Sequence, residues 1–272
     1  MTAVDTGART GTGRLGAAAL AGLPADCRPR VRPGEAAAGI VHLGLGAFFR
    51  AHQAVYTEAA MARRGGDWGI IGVAPRSTDL VTKLAQQDSL FSVTTLDGGG
   101  ARTRVVGALA GVRHAAGDPA AIVALLADPA IRVVTLTVTE KAYQLDPATG
   151  RLSPDDDLAA DLGTDRPPRT VPGLLVRGLL ARARAGAGPI ALVSCDNLPS
   201  NGRRLQSMVG QALQRVEQAT GGRTAAVADW VHGNVTFPGT MVDRIVPATT
   251  ADTLATAAAA LGVSDLAAVA GE

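Results

Sequence analysis

The chain has 272 residues and a formal net charge of +2, with 47% hydrophobic and 18% charged residues. That balance excludes a disordered chain, and no apolar run reaches the roughly 18–20 residues that span a bilayer. The basic residues are nearly all arginines scattered among acids, which argues against a nucleic-acid surface, since that needs a clustered basic stripe.

Residues 1–38 are rich in Ala, Gly, Arg and Pro without steady periodicity and read as a mobile arm with one short helix near Leu15–Leu20. The apolar run from Leu15 to Leu23 is short and follows Asp5, which makes a poor export signal. From residue 39 the pattern becomes regular. Ile40–Leu45 predicts a strand, Arg50–Arg63 a helix, and Trp68–Val73 a second strand. Ser77 is placed to cap a helix running to about Gln87. Leu90–Leu96 and Thr103–Val112 flank Gly98-Gly99-Gly100 and read as a hairpin.

Asp118 opens a helix to about Leu126, and Ile131–Val138 is a β-branched strand. Residues 145–168 read as a loop of Asp, Pro and Gly. Val171–Ala185 then predicts a helix, Pro189–Cys195 a buried strand, Arg203–Thr220 a helix and Ala251–Leu261 another. Strands alternating with helices imply an α/β fold whose mostly parallel sheet is covered on both faces. The expectation is a doubly wound, Rossmann-like domain over residues 39–250 with an inserted hairpin.

In such sheets ligands gather beyond the carboxyl ends of the strands. Beyond the first strand lies Gly44-Leu45-Gly46, a turn without side chains where a pyrophosphate can approach backbone N–H groups. The third glycine of the usual G-x-G-x-x-G pattern is replaced by Phe49. Beyond the second strand come Arg76, Ser77, Thr78 and Asp79. An acid there can accept hydrogen bonds from ribose hydroxyls and an arginine can meet a 2′-phosphate, while Asp79 equally suits the positive start of a helix.

Beyond the third stands Thr139-Glu140-Lys141-Ala142-Tyr143. Lys141, one of two lysines, is either a base or, as an ordinary Glu-Lys neighbour, a surface partner of Glu140. Beyond the fourth, Ser194-Cys195-Asp196-Asn197 leads into Asn201-Gly202. This reads as a turn and helix cap, although the Asn197 amide is also a neutral donor suited to a developing alkoxide. Cys27 and Cys195 stand far apart, which suggests neither a disulfide framework nor a zinc site, and the compartment reads as a reducing cytoplasm. The four histidines lack a metal-ligand spacing.

Taken together, these segments resemble the mannitol dehydrogenase family of polyol-specific long-chain dehydrogenases from about Gly39 onward. The resemblance rests on Ile40–Phe48, Arg50-Ala51-His52-Gln53, Gln87-Asp88, Thr137–Lys141, Ser194–Asn197 and Asn201-Gly202. It closes on Val235-Thr236-Phe237-Pro238 and on Met241–Pro247, and its details look closest to the fructuronate reductase (mannonate oxidoreductase) branch. Phe49 stands where the family usually has histidine, and Ala142 where it usually has glycine.

The resemblance implies NAD as cofactor, held by Gly44, Gly46, Phe48, Arg76, Asp79 and Thr139, with Asp79 favouring NAD over NADP. It implies that Asn197 is an oxyanion donor and that Asp243 lies near the active site. The substrate would be a polyol or keto-sugar acid; mannitol 1-phosphate or arabinitol dehydrogenation is the alternative, and a non-catalytic nucleotide-binding remnant a further one. The family's Lys-x-x-x-x-Asn-Gly-x-His stretch, which supplies the base, is missing from this sequence. Residues 251–272 are therefore expected to lead toward an absent C-terminal helical domain that would complete the site, as in a truncated product.

Overall fold

A computed structural model describes residues 13–271. In chain order, β1 (Ala38–Leu43) leads into a broken helix, α1 (Ala47–Ala51) and α2 (Gln53–Arg64). Next come β2 (Gly69–Ala74), α3 (Asp79–Ala85), the hairpin β3 (Phe91–Asp97) and β4 (Gly100–Val106), then β5 (Leu109–His114). They are followed by α4 (Pro119–Ala127), β6 (Val133–Leu136), α5 (Asp156–Gly163), α6 (Val171–Arg184) and β7 (Ile190–Ser194). The described chain closes with α7 (Asn201–Ala219), α8 (Ala225–Asn234), a short β8 (Val235–Thr236), α9 (Ala251–Leu261) and β9 (Val269–Gly271).

Six strands pair in parallel in the order β5-β2-β1-β6-β7-β8. Successive side chains point to opposite faces. Val41, Leu43, Ile71 and Val73 enter a core shared with α4, α6 and α7, while Ile40 and Ile70 enter a second core with Ala54, Met61 and Leu84. Burial on both faces is why β1 and β2 read as unbroken apolar runs. The strand order reverses at β1, so the crevice for a ligand opens beyond the ends of β1, β2 and β6.

A second sheet has the order β4-β3-β9, with β3 and β4 antiparallel and β9 parallel to β3. The hairpin is therefore present, but its expected second arm is two strands. Gly107, whose missing side chain makes room for Pro29 and Pro33, donates its N–H to Glu58 Oε1 at 2.7 Å, and the chain then crosses into the main sheet as β5.

Several elements differ from expectation. Residues 13–38, read as part of a mobile arm, are packed in place: Leu15, Leu23 and Cys27 are buried with Leu90, Val105 and Leu261. The helix near Leu15 is a 3-10 helix, Ala17–Gly22; the first twelve residues of the arm lie outside the described residues. The single helix over Arg50–Arg63 breaks at His52, whose φ and ψ are −115° and −88°. The loop over residues 145–168 contains α5, capped by Asp155, which accepts from Leu158 N at 2.8 Å. α3 begins at Asp79 after Thr78, and Ser77 does not cap it.

The segment after residue 250 packs on this domain. α9 has its expected bounds, with a capping box between Thr250 and Thr253. The chain then turns back through Asp265, whose carboxylate accepts from Gln87 Nε2, Ser92 N and Ser92 Oγ, and lays β9 beside β3.

Candidate functional site

The site starts from a knot of hydrogen bonds at the end of β1. Gly44 has φ +113°, and a side chain there would collide with the Thr137 carbonyl, so glycine is required for both conformation and contact. Its N–H donates to Val73 O at 2.9 Å, and its carbonyl accepts from the Thr137 hydroxyl at 2.8 Å. The fully buried His42 reinforces the turn. Its Nε2 lies 3.0 Å from Gly44 O and 2.9 Å from Thr137 Oγ1, and its Nδ1 lies 2.8 Å from Thr135 Oγ1. A carbonyl can only accept, so Nε2 carries the proton and Nδ1 accepts from Thr135. Burial lowers the His42 pKa to about 3, which keeps the ring neutral.

Phe49 explains how the turn works without a third glycine. Its ring is buried and stacks on His42 with centroids 3.6 Å apart, under the turn and outside the cavity wall. Gly46 faces the other way. The nearest atom to a Cβ built there is Gly44 O at 3.9 Å, so the space above it is open.

That space belongs to a cavity of about 700 Å³. Its wall includes Gly44, Gly46, Arg76 and Thr139, four of the residues expected to bind cofactor. Phe48 and Asp79 lie outside it. Phe48 stacks on His52 at 4.9 Å, and the exposed Asp79 carboxylate pairs with Lys83 Nζ one helical turn on, at 2.8 Å. The helix-start reading of Asp79 is the arrangement present. Lys141 lines the cavity, whereas its expected partner Glu140 pairs with Arg204 at 3.3 Å.

Asn197 and Asp243 also lie outside that wall. Asn197 is exposed beyond β7, and its amide makes no hydrogen bond among the described residues. The backbone around it is fixed, because Asn201 Nδ2 donates to Asp196 O at 3.0 Å and to Thr240 Oγ1 at 2.8 Å. Asp243 is exposed and raises the pKa of His52, though burial and Arg244 lower it more. Nearby, His52 Nδ1 and Arg244 Nε are buried without a hydrogen-bond partner among the described residues.

Asp155, Asp157, Arg169 and Thr170, which form the far wall of the cavity, were not anticipated. Their signal was present in capping chemistry. Asp155 precedes α5, and Thr170 precedes Val171-Pro172 and accepts from Gly173 N at 3.0 Å at the start of α6. Among the described residues no group of His, Cys, Asp and Glu is arranged to hold a metal ion.

A parallel sheet that reverses order at β1, a glycine turn at that point and an open cavity beyond it define a dinucleotide-binding α/β domain. Residues 38–272 match the mannitol dehydrogenase Rossmann domain, and the chain belongs to the mannitol dehydrogenase family. It is 43% identical over 215 residues to a mannitol 2-dehydrogenase of Cereibacter sphaeroides, covering 78% of this chain and 43% of that one. It is 37% identical over 239 residues to a D-mannonate oxidoreductase of Escherichia coli, covering 86% and 48%. Among solved structures, the Pseudomonas fluorescens mannitol 2-dehydrogenase ternary complex with NAD and D-mannitol superposes with a TM-score of 0.86 at 34% identity. That match covers 95% of this chain and 52% of that one. The chain spans about half the length of the curated relatives it matches.

Proposed function

We propose that this chain is the cofactor-binding half of an NAD-dependent oxidoreductase acting between a sugar alcohol or hexonate and the corresponding ketose or keto acid. The observation that carries the reading is the bare Gly46 wall at the reversal of strand order, where a pyrophosphate can approach the backbone. A family relative in complex with NAD and D-mannitol supports it.

NAD(H), when bound, supplies the hydride acceptor or donor. The residues of this chain orient and stabilise. Gly44 and Gly46 admit the pyrophosphate, and Thr139 and Lys141 wall the end of the cavity beyond β6. The unengaged Asn197 amide donates to the substrate oxygen as it gains negative charge. Asp243 sits where a substrate-bearing wall would close over His52 and Arg244, whose unpartnered atoms are the support for a contact there. That wall would come from a further helical domain, for which the relatives' greater length is the support. The compartment on this reading is the cytoplasm, and no helix among the described residues is long and apolar enough to cross a membrane.

The test is titration of purified residues 1–272 with NADH, followed by nucleotide fluorescence, with parallel assays on mannitol, arabinitol and fructuronate. Binding without turnover is the expected result, because a base and part of the cleft would be missing. Robust turnover would show that the second wall is unnecessary, and no binding would remove the cofactor assignment.

A further inference from the structure

We infer that Arg50 is a positioning residue for the bound nucleotide: it links the Gly46 turn to the returning tail at residues 265–271, so that a diphosphate at the turn tightens the tail. The inference rests on the dinucleotide reading of the cavity. Arg50 is only 6% exposed and stands outside the cavity wall. Its Nε donates to Gly46 O at 3.3 Å, as does its backbone N–H, also at 3.3 Å. Its Nη1 donates to Ala267 O, and the guanidinium lies 5.8 Å from the Phe91 ring centroid. Burial lowers its pKa to about 10 and the nearby Asp265 raises it, so the group stays charged at neutral pH.

Both ends of this link are set by further contacts. A trans peptide sends its C=O and N–H to opposite sides. With the Gly46 carbonyl drawn toward Arg50, the Ala47 N–H points away from it and has no acceptor among the described residues, which leaves it for a diphosphate oxygen. At the other end Gln87 fixes the tail. Its Oε1 accepts from Leu266 N at 2.6 Å, and its Nε2 donates to Asp265 Oδ1 at 2.8 Å. The same carboxylate oxygen accepts from Ala267 N at 2.8 Å. Gln87, Asp265, Ala267 and Arg50 thus form one line from the tail to the turn. A guanidinium holds its donors in a rigid fork, so a shift at one carbonyl is felt at the other. Coupling of this kind is reciprocal: a ligand that favours the held turn favours the held tail.

The experiment takes the 272-residue chain, displaces NADH with ADP or adenosine while following nucleotide fluorescence, and measures amide hydrogen exchange in the tail. Saturating ADP should slow exchange at residues 266–271 by about fivefold or more, the low end of ordinary coupling between sites. Adenosine, which lacks the diphosphate, should not. Arg50→Met should remove this protection, weaken ADP and NADH by about tenfold and leave adenosine within about twofold. If the unaltered chain binds ADP with no change in tail exchange, the inference is overturned while the cofactor site stands, and that result needs no variant to fold. Equal losses for ADP and adenosine in a folded Arg50→Met protein would leave Arg50 a purely structural role and overturn it too. If neither ADP nor NADH binds the unaltered chain, the inference and the cofactor reading fall together.

Discussion

The Tyr143 hydroxyl donates to Asp196 Oδ2 at 2.6 Å and so fastens the loop beyond β6 to the loop beyond β7. Tyr143 closes the segment that walls the cavity with Thr139 and Lys141, and Asp196 immediately precedes Asn197. Ser194 Oγ lies 2.6 Å from the same phenol oxygen, and the Thr240 hydroxyl donates to Ser194 O at 2.6 Å. The backbone just before Asn197 is thus held by a cluster of short bonds, although the Asn197 side chain itself makes none among the described residues.

Burial raises the Asp196 pKa from 3.8 to about 6, against the opposing effect of the Tyr143 hydrogen bond. The folded state therefore holds its proton more tightly than the unfolded chain between about pH 4 and 6. The stability contributed by that proton is complete below this window and is lost as pH rises through it. Urea unfolding from pH 4 to 8 should show this loss in the parent and not in Asp196→Asn. Tyr143→Phe removes a donor that favours the charged form, and should move the loss to higher pH. Parallel curves for parent and Asp196→Asn would show that Asp196 does not titrate in this range.

His42 acts with the opposite sign. Its folded pKa of about 3 lies below the ordinary 6.5, so its stabilisation is complete above pH 6.5 and declines as the unfolded chain takes up a proton below it. His42→Leu should flatten that acid limb relative to the parent. At neutral pH it should cost about 1–3 kcal/mol, because Thr135 loses its partner in a buried site. An unchanged acid limb in the variant would count against a buried neutral imidazole.

The two glycines should separate folding from binding. Gly44→Ala imposes φ +113° on a side chain, which alone costs about 1–3 kcal/mol, and adds a collision with Thr137. It should lower the melting temperature and abolish NADH binding. Gly46→Ala places a methyl in open space and should leave melting nearly unchanged while weakening NADH by about tenfold or more. Normal NADH affinity in a well-folded Gly46→Ala protein would move the pyrophosphate elsewhere.

Asn197 is testable once the second half of a relative is joined to this chain. In such a protein Asn197→Ala should lower turnover by about 10²–10³, as loss of one oxyanion donor does. NADH affinity should hold, since the amide is outside the cavity wall. Unimpaired turnover would leave Asn197 as a turn residue only.

The sheet was legible because strands buried on both faces leave long β-branched runs, as in Ile40–Leu43 and Val133–Leu136. The place of Gly44, Gly46, Arg76 and Thr139 in the cavity wall was legible because each stands just beyond the end of such a run. The packed segment after residue 13 was not, since Leu15, Leu23 and Cys27 reach the core from turns with no steady period. α5 offers only Leu158 and Leu162 as apolar markers among acids. The Asp79–Lys83 pairing is an i,i+4 spacing that sequence could have weighed. Tyr143 and Asp196, by contrast, are 53 positions apart and meet only through the sheet.

Leu15 N donates to Ser264 O at 2.8 Å, and Ser264 N donates to Gly13 O at 2.9 Å, just before the buried anchor Asp265. The chain is thereby clasped into a closed ring at the three-stranded sheet. Tension applied between residues 13 and 264 would load this clasp first. The six-stranded sheet and its cavity would stay mechanically shielded until the clasp parts.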